Sequence, residues 1–426
     1  MEKSSWFGVL MNLVETIKRE WDHCIHNGCK DDGTLIGLPH PYTVPCIGNR
    51  FQEMYYWDTS FINRGLILSG RIQQAVNNVE NLFFLLDRYG FVPNGNRTYY
   101  LKNSQPPFLS RMVADVAAVT KDANWMKRAV KYLIREHAFW MKKRMTSCGL
   151  NQYAGDRERA IQEKIYQDYI KRIGRRPEDI DDKSLSVQYI GACESGWDIS
   201  PRFGFMIEQY VPVCLNALLY MLENTIADLT EYTQVGDSEN WRKKAADRQE
   251  TMNRVMLKDG VFFDYNFVKN EKSQIFSCAS FYPLMVGMAT QEQAASLRRQ
   301  LPRLETSFGL TACEKWDTPF AFQWGYPNGW APLHAIAVEG LLRYGFDEDA
   351  LRIAKKYVAL VESNYETTGY LWEKYNVVDG SVLVSQERLA SEMPPMMGWS
   401  AGVYLYMKAV IETSRSLRIC HRQEEV

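Results

Sequence analysis

The chain has 426 residues, of which 46% are hydrophobic and 24% charged, with a formal net charge of −1. This is the composition of a globular chain, and it excludes a disordered polypeptide or one whose bulk field draws in nucleic acid or an anionic membrane. Length alone is a soft argument for two or three domains, but barrels of this size also fold as one unit, and the chain reads as a single domain over 1–426.

The nine cysteines are scattered without a CxxC pair. Neither a metal centre nor a disulfide framework is expected, and no cofactor. Met1–Ser5 shows no apolar signal core, and no apolar run reaches about 18 residues. A cytoplasmic location with no membrane partner is the expectation; oligomeric state cannot be read.

Residues 5–26 read as an amphipathic helix with Trp6, Leu10, Leu13 and Ile17 at helical spacing. A long loop with Pro39, Pro41 and Pro45 ends in Arg50-Phe51 and Tyr55-Tyr56-Trp57-Asp58. Helices are expected at 59–69 and 71–89, broken at Gly70. Residues 90–108 carry an Asn94-Gly95 turn signal that suits a β-hairpin. They also pack in Asn96, Arg97, Tyr99, Tyr100, Asn103 and Gln105, a dense set of donors and acceptors. A helix pair follows at 108–119 and 122–145.

Residues 150–185 read as a polar surface excursion with one helix near 159–172. Its basic run Lys171-Arg172-Ile173-Gly174-Arg175-Arg176 is answered by Glu178, Asp179, Asp181 and Asp182, and reads as a solvated loop. Long helices are expected at 204–231 and 237–257, and a short strand at 260–266. Further helices are expected at 279–288, 290–301, 331–343, 347–363 and 399–417, with an extended piece at 369–377. Helix and ligand-rich loop alternate, with no strand–helix alternation and no glycine-rich phosphate loop, so a doubly wound sheet is excluded. About twelve helices suit an all-α toroid of helix pairs with loops at one end.

Five tryptophans are followed directly by an acid: Trp21-Asp22, Trp57-Asp58, Trp197-Asp198, Trp316-Asp317 and Trp372-Glu373. Composition predicts roughly 1.4 such pairs. Sugar sites combine aromatic faces with carboxylates in this way. Gly196-Trp197-Asp198 is the sharpest case, because an acid beside an indole face is partly desolvated and can hold a proton near neutral pH. The plainer alternative is a helix N-terminus with a capping Asp and a core Trp.

These residues resemble the trehalase family of glycoside hydrolases, from about Pro39 to Val403. The run Pro93-Asn94-Gly95-Asn96-Arg97-Thr98-Tyr99-Tyr100-Leu101, followed by Ser104-Gln105-Pro106-Pro107, is long and specific. Arg50-Phe51 through Trp57-Asp58 is similar to one family signature, and Gln323-Trp324 through Trp330-Ala331-Pro332 to another. Ser195-Gly196-Trp197-Asp198 is similar to the segment bearing the family's catalytic acid, and Glu373-Lys374-Tyr375 to that bearing its base. The resemblance implies an (α/α)6 barrel and an inverting, metal-free hydrolysis. Asp198 would protonate the leaving oxygen, and Glu373 would deprotonate the attacking water from a carboxyl about 6.5–9.5 Å away. The plainer reading of Glu373 is an exposed acid paired with Lys374. Arg50, Phe51, Trp57, Asp58, Asn94, Asn103, Gln105, Gly196, Trp324, Trp330 and Glu392 would hold the sugar.

The chain departs from the family pattern at several places. Asn103 stands where an arginine is usual, and Gly325 where an acid is. No clean match to the family's Arg-Pro-Glu segment is found around Arg157, Arg159 and Glu163. The glycine-rich lid is missing, with Glu392 the nearest candidate for its acid. Losing one charged donor costs a substrate about 1.5–3 kcal/mol unless it is replaced. The leading expectation is therefore an inverting α-glycosidase on a small α-glucoside, α,α-trehalose first. The alternative keeps the mechanism and changes the leaving group to another sugar, a polyol or an acid. A sugar-binding protein without catalysis ranks third. His334 reads as a packed residue.

Overall fold

The computed structural model describes residues 13–48, 50–156, 163–178, 180–382 and 396–424. Residues 13–20 are helical. The α-helices that follow are α1 Tyr56–Leu68, α2 Ile72–Tyr89, α3 Leu109–Thr120, α4 Ala123–Arg144, α5 Glu163–Ile173, α6 Asp182–Glu194 and α7 Val213–Thr233. Then come α8 Ser238–Met256, the short α9 Tyr282–Met285, α10 Gln291–Gln300, α11 Ala331–Arg343, α12 Asp347–Thr368 and α13 Gly398–Glu424.

Starts and stops follow local chemistry. Asp122, Asp181 and Asp237 accept backbone N–H groups at the starts of α4, α6 and α8, and Thr290 forms a capping box with Gln293 at α10. Burial then sorts the helices. In α1 the run from Tyr56 to Asn63 is buried on every side, as is Ala331–Val338 in α11. By contrast, α2 buries one stripe, including Ala75, Val79, Leu82 and Leu86, and leaves Gln73 and Arg88 outside.

Among the described residues, six helices close a ring. α1 packs on α3, α3 on α7, α7 on α9, α9 on α11, α11 on α13, and α13 back on α1. An outer ring lies around it: α2 packs on α1 and α3, α4 on α3 and α7, α8 on α7, and α12 on α11 and α13. The expected all-α toroid of helix pairs is therefore the fold. One large apolar cluster runs through both rings.

Three local expectations are corrected. The segment expected as helix over 204–231 begins only at Val213. Gly204 and Phe205 take positive φ, Tyr210–Val211 pairs with Tyr265–Asn266, and Pro212 then starts the helix. Residues 90–108 form no hairpin: Gly95 bridges Tyr55 and Arg97 bridges Leu35, with one 3-10 turn at Thr98–Tyr100. The excursion holds a second helix, α6, and an apolar cluster of its own. Tyr166, Tyr169, Ile173 and Leu185 pack there with Ile199, Phe205, Phe320 and Phe322.

Candidate functional site

The connections that enter the inner helices converge on a cavity of ≈ 150 Å³. That is about the room taken by one six-membered ring. Trp57, Asp58, Asn94, Gln105, Gly196, Asp198, Trp324, Trp330, Glu373 and Phe51 line it, all expected from sequence.

Its walls are tryptophan. Trp324 stacks on Trp330 with centroids 3.8 Å apart and planes at 5°. Trp197 stacks on Trp324 at 5.4 Å, and Trp57 and Trp399 meet the group obliquely or edge-on. Backbone pairing positions the group: Asn328–Trp330 runs antiparallel to Lys374–Asn376, with Trp330 opposite Lys374. Lys374 is buried with Nζ 4.9 Å from the Trp330 ring, while Glu373, one residue earlier, lines the cavity. The Glu373 carbonyl accepts from Trp399 Nε1 at 3.1 Å.

Asp198 arrives by a different route from the capping position allowed for. It follows the C-terminus of α6, where Gly196 takes φ +71°. A Cβ at Gly196 would lie 2.9 Å from Trp57 Cε2, so the turn excludes a side chain on steric as well as backbone grounds. The preceding Glu194 is buried and fixes the end of α6. It accepts from Arg144 Nε and Nη2 at 2.7 and 2.8 Å, and from the backbone N–H groups of Ser104 and Ala154 at 2.8 Å. Underneath, the fully buried Arg202 grips Asp264 at 2.9 and 2.8 Å, with its guanidinium 4.4 Å from the Trp197 ring.

The electrostatics differ from the sequence expectation. The Asp198 side chain is 35% exposed, and Arg172 Nη1 lies 3.4 Å from its Oδ2. The dry carboxyl is Asp58, pushed up to about 8 by burial and by the charges of Glu373 and Asp198. Asp58 sits in the first turn of α1. The Trp57 N–H in that turn donates to Gln105 Oε1 at 3.1 Å, and the Asn94 amide donates to the carbonyl of Cys193 at 3.2 Å. The Cys46 thiol, raised to about 12 by burial, feels both Glu373 and Arg50.

Some expected residues do not face the cavity. Arg50 is exposed and outside its lining. Asn103 is buried and is not among the residues that line the cavity. Its amide donates to the Ser104 carbonyl at 3.0 Å, and its own carbonyl accepts from Asn94 N at 3.0 Å. Glu392 lies outside the described residues. Gly325 is in a tight turn, where a Cβ would come within 3.0 Å of Phe322 Cβ. Of the five tryptophan–acid pairs, three bring their acids to the cavity; Trp21-Asp22 and Trp316-Asp317 do not. His334 is a packed residue: Nε2 accepts from Leu310 N–H, so Nδ1 donates to the Trp330 carbonyl, both at 2.8 Å.

Sequence reasoning missed Arg172. Besides Asp198, it hydrogen-bonds Gln323 Oε1 and Tyr189 OH. The apolar face of α5, Tyr166, Tyr169 and Ile173, shows that the helix packs but does not single out Arg172 from the basic run beside it. Tyr55, Tyr100, Cys193, Met396 and Trp399 also line the cavity.

A family model, Trehalase, matches residues 9–411. Among solved structures, the chain is similar to a neutral trehalase from Saccharomyces cerevisiae, at 28% identity and TM-score 0.75, over 96% of this chain and 82% of that one. A mannosylglycerate hydrolase from Thermus thermophilus shares the fold at 16% identity and TM-score 0.63, over 93% and 99%. No helix of the described residues is long and apolar enough to cross a membrane. With the match running through nearly the whole chain and the ring of helices in place, this chain belongs to the trehalase family and is a glycoside hydrolase.

Proposed function

We propose that the protein hydrolyses the glycosidic bond of a small α-glucoside with inversion, with α,α-trehalose the first substrate to try. The observation that carries this reading is that Asp198 and Glu373, from distant parts of the chain, face one tryptophan-walled cavity. Asp198 gives its proton to the leaving oxygen as the bond to C1 breaks. Glu373 takes a proton from a water that attacks C1 from the opposite face, leaving two neutral products. Asp58, protonated below about pH 8, donates a hydrogen bond to a hydroxyl of the bound ring. Trp57, Trp324 and Trp330 supply apolar faces, and Asn94 and Gln105 set the rim. The likeness to a neutral trehalase supports trehalose; the missing arginine at Asn103 favours a different leaving group.

The test is glucose release from a panel of α-linked disaccharides and glucosides, with the first-formed anomer read by NMR. Initial β-glucose from the attacked ring is expected. Asp198→Asn and Glu373→Gln should each lower kcat by at least about 10²–10⁴. Binding without turnover of any sugar would leave a lectin-like protein instead.

A further inference from the structure

Acid-assisted cleavage places the leaving group against the acid. Whatever flanks Asp198 therefore touches the leaving group, while the attacked ring lies toward Asp58 and Glu373. The flank of Asp198 is built by the α5–α6 insertion. Arg172 reaches from the last turn of α5 to Asp198 Oδ2 at 3.4 Å, to Tyr189 OH on α6, and to Gln323 Oε1, a cavity-lining side chain.

Asp58 lines the cavity with Glu373 and feels the charges of both Glu373 and Asp198. On the Asp198 side, among the described residues, the cavity-lining Cys193 feels the cations Arg172 and half-buried Lys102 as well as the acid Asp198. A guanidinium this close to the acid meets whatever the leaving group presents on that side. A neutral sugar offers hydroxyls only. A carboxylate offers the planar, bidentate partner that a guanidinium fits best.

We propose that Arg172 reads the leaving group and that this group carries a carboxylate: the substrate is an α-glucoside of a small hydroxy acid. This rests on the hydrolytic reading above. Arg172 binds the carboxylate in the complex, beside the oxygen that Asp198 protonates. The insertion that carries Arg172 packs α5 on α6 around Tyr169, Ile173 and Leu185, in an apolar cluster separate from that of the rings.

The experiment compares α-glucosylglycerate with α-glucosylglycerol and trehalose, in the wild type, Arg172→Gln and Arg172→Lys. The wild type should favour the carboxylated substrate by about tenfold or more in kcat/KM. The preference should vanish in Arg172→Gln and return in part in Arg172→Lys. Product inhibition gives a second readout on the wild type alone: glycerate should inhibit at least about tenfold more tightly than glycerol. Equal or better turnover of the neutral substrates, equal inhibition by the two products, or a preference that survives Arg172→Gln would overturn the proposal while leaving hydrolysis intact. Loss of all turnover from the wild type would remove the hydrolytic reading and this one with it.

Discussion

Asp58 is buried in the cavity with Trp57, Gln105 and the aromatic wall, and its carboxyl is far harder to ionise there than in water. Burial, then the charges of Glu373 and Asp198, raise it from 3.8 to about 8. A group raised in the folded state contributes stability that is complete below its unfolded value and is lost as pH rises through the folded one. Relative to Asp58→Asn, the wild type should therefore weaken steadily between about pH 4 and 8, by an amount on the order of 5 kcal/mol. Urea unfolding of both proteins across that window measures it, and parallel curves would mean that Asp58 is already ionised in the fold. Gly196 gives a steric prediction. Its φ of +71° and the 2.9 Å approach to Trp57 both penalise a methyl group. Gly196→Ala should cost about 2–4 kcal/mol and lower kcat/KM by displacing Asp198 and Trp57 together. Unchanged kinetics would show that the turn tolerates the shift. Residues such as these were legible because their types are unusual in combination: a glycine, an indole and an acid in a row. Arg172 was not legible. A basic run among acids looks solvated until the fold brings one member, 26 positions from Asp198, back onto it.

At the scale of elements, the insertion α5–α6 differs from the ring. Its apolar cluster is separate from the main core, and Tyr169 and Tyr189 stack at 4.3 Å to hold the two helices together. Ile173 is fully buried in that cluster one residue after Arg172. Ile173→Ala should destabilise the insertion by about 2–4 kcal/mol. Hydrogen exchange should then quicken across α5 and α6, while the ring keeps its protection and the global midpoint moves little. Activity should fall with the local stability, because the helix that carries Arg172 opens. Exchange that quickens equally in α1 and α11 would show one cooperative unit instead. The same division explains which elements the sequence disclosed. α11 was expected at its observed bounds, Ala331–Arg343, because Pro332 and an unbroken apolar run leave few alternatives. α6 was missed because its apolar residues face a small private cluster rather than a wide core, so its pattern is short and weakly periodic. The start of α7 was misjudged because positive φ at Phe205, a non-glycine residue, is invisible to propensity.

The whole molecule depends on closing the inner ring, where the last helix meets the first. Gly402 of α13 and Gly65 of α1 allow that approach: a Cβ at Gly402 would fall 2.1 Å from the Phe61 carbonyl oxygen, and one at Gly65 2.6 Å from the Gly402 Cα. Inside the ring, an ionic cluster joins three inner helices that are far apart in sequence. Glu339 of α11 accepts from Arg64 of α1 at 2.8 Å and from Arg111 of α3 at 2.5 Å, and Arg111 also holds Asp115 at 2.9 Å. The Arg64 and Glu339 side chains are 14% exposed and that of Arg111 19%, and the three border a small internal cavity with Ser60 and Phe61. The arginines have lost most of their water; Arg64 is compensated by Glu339, and Arg111 by Glu339 and Asp115 together. Removing one partner of a buried ionic set is costlier than the set is worth, because the remaining charges stay desolvated. Glu339→Gln keeps the size but removes the charge and turns one of the two accepting oxygens into an NH2 donor, so one arginine faces a donor and Arg64 loses its carboxylate. The variant should lose about 2–4 kcal/mol of unfolding free energy. The loss should persist at high salt, since screening acts weakly on buried pairs. Because the cluster spans the ring, the whole unfolding curve should move to lower denaturant with its slope retained. A loss that disappears in salt would mean that water reaches the cluster, and that the ring is held by its apolar contacts alone.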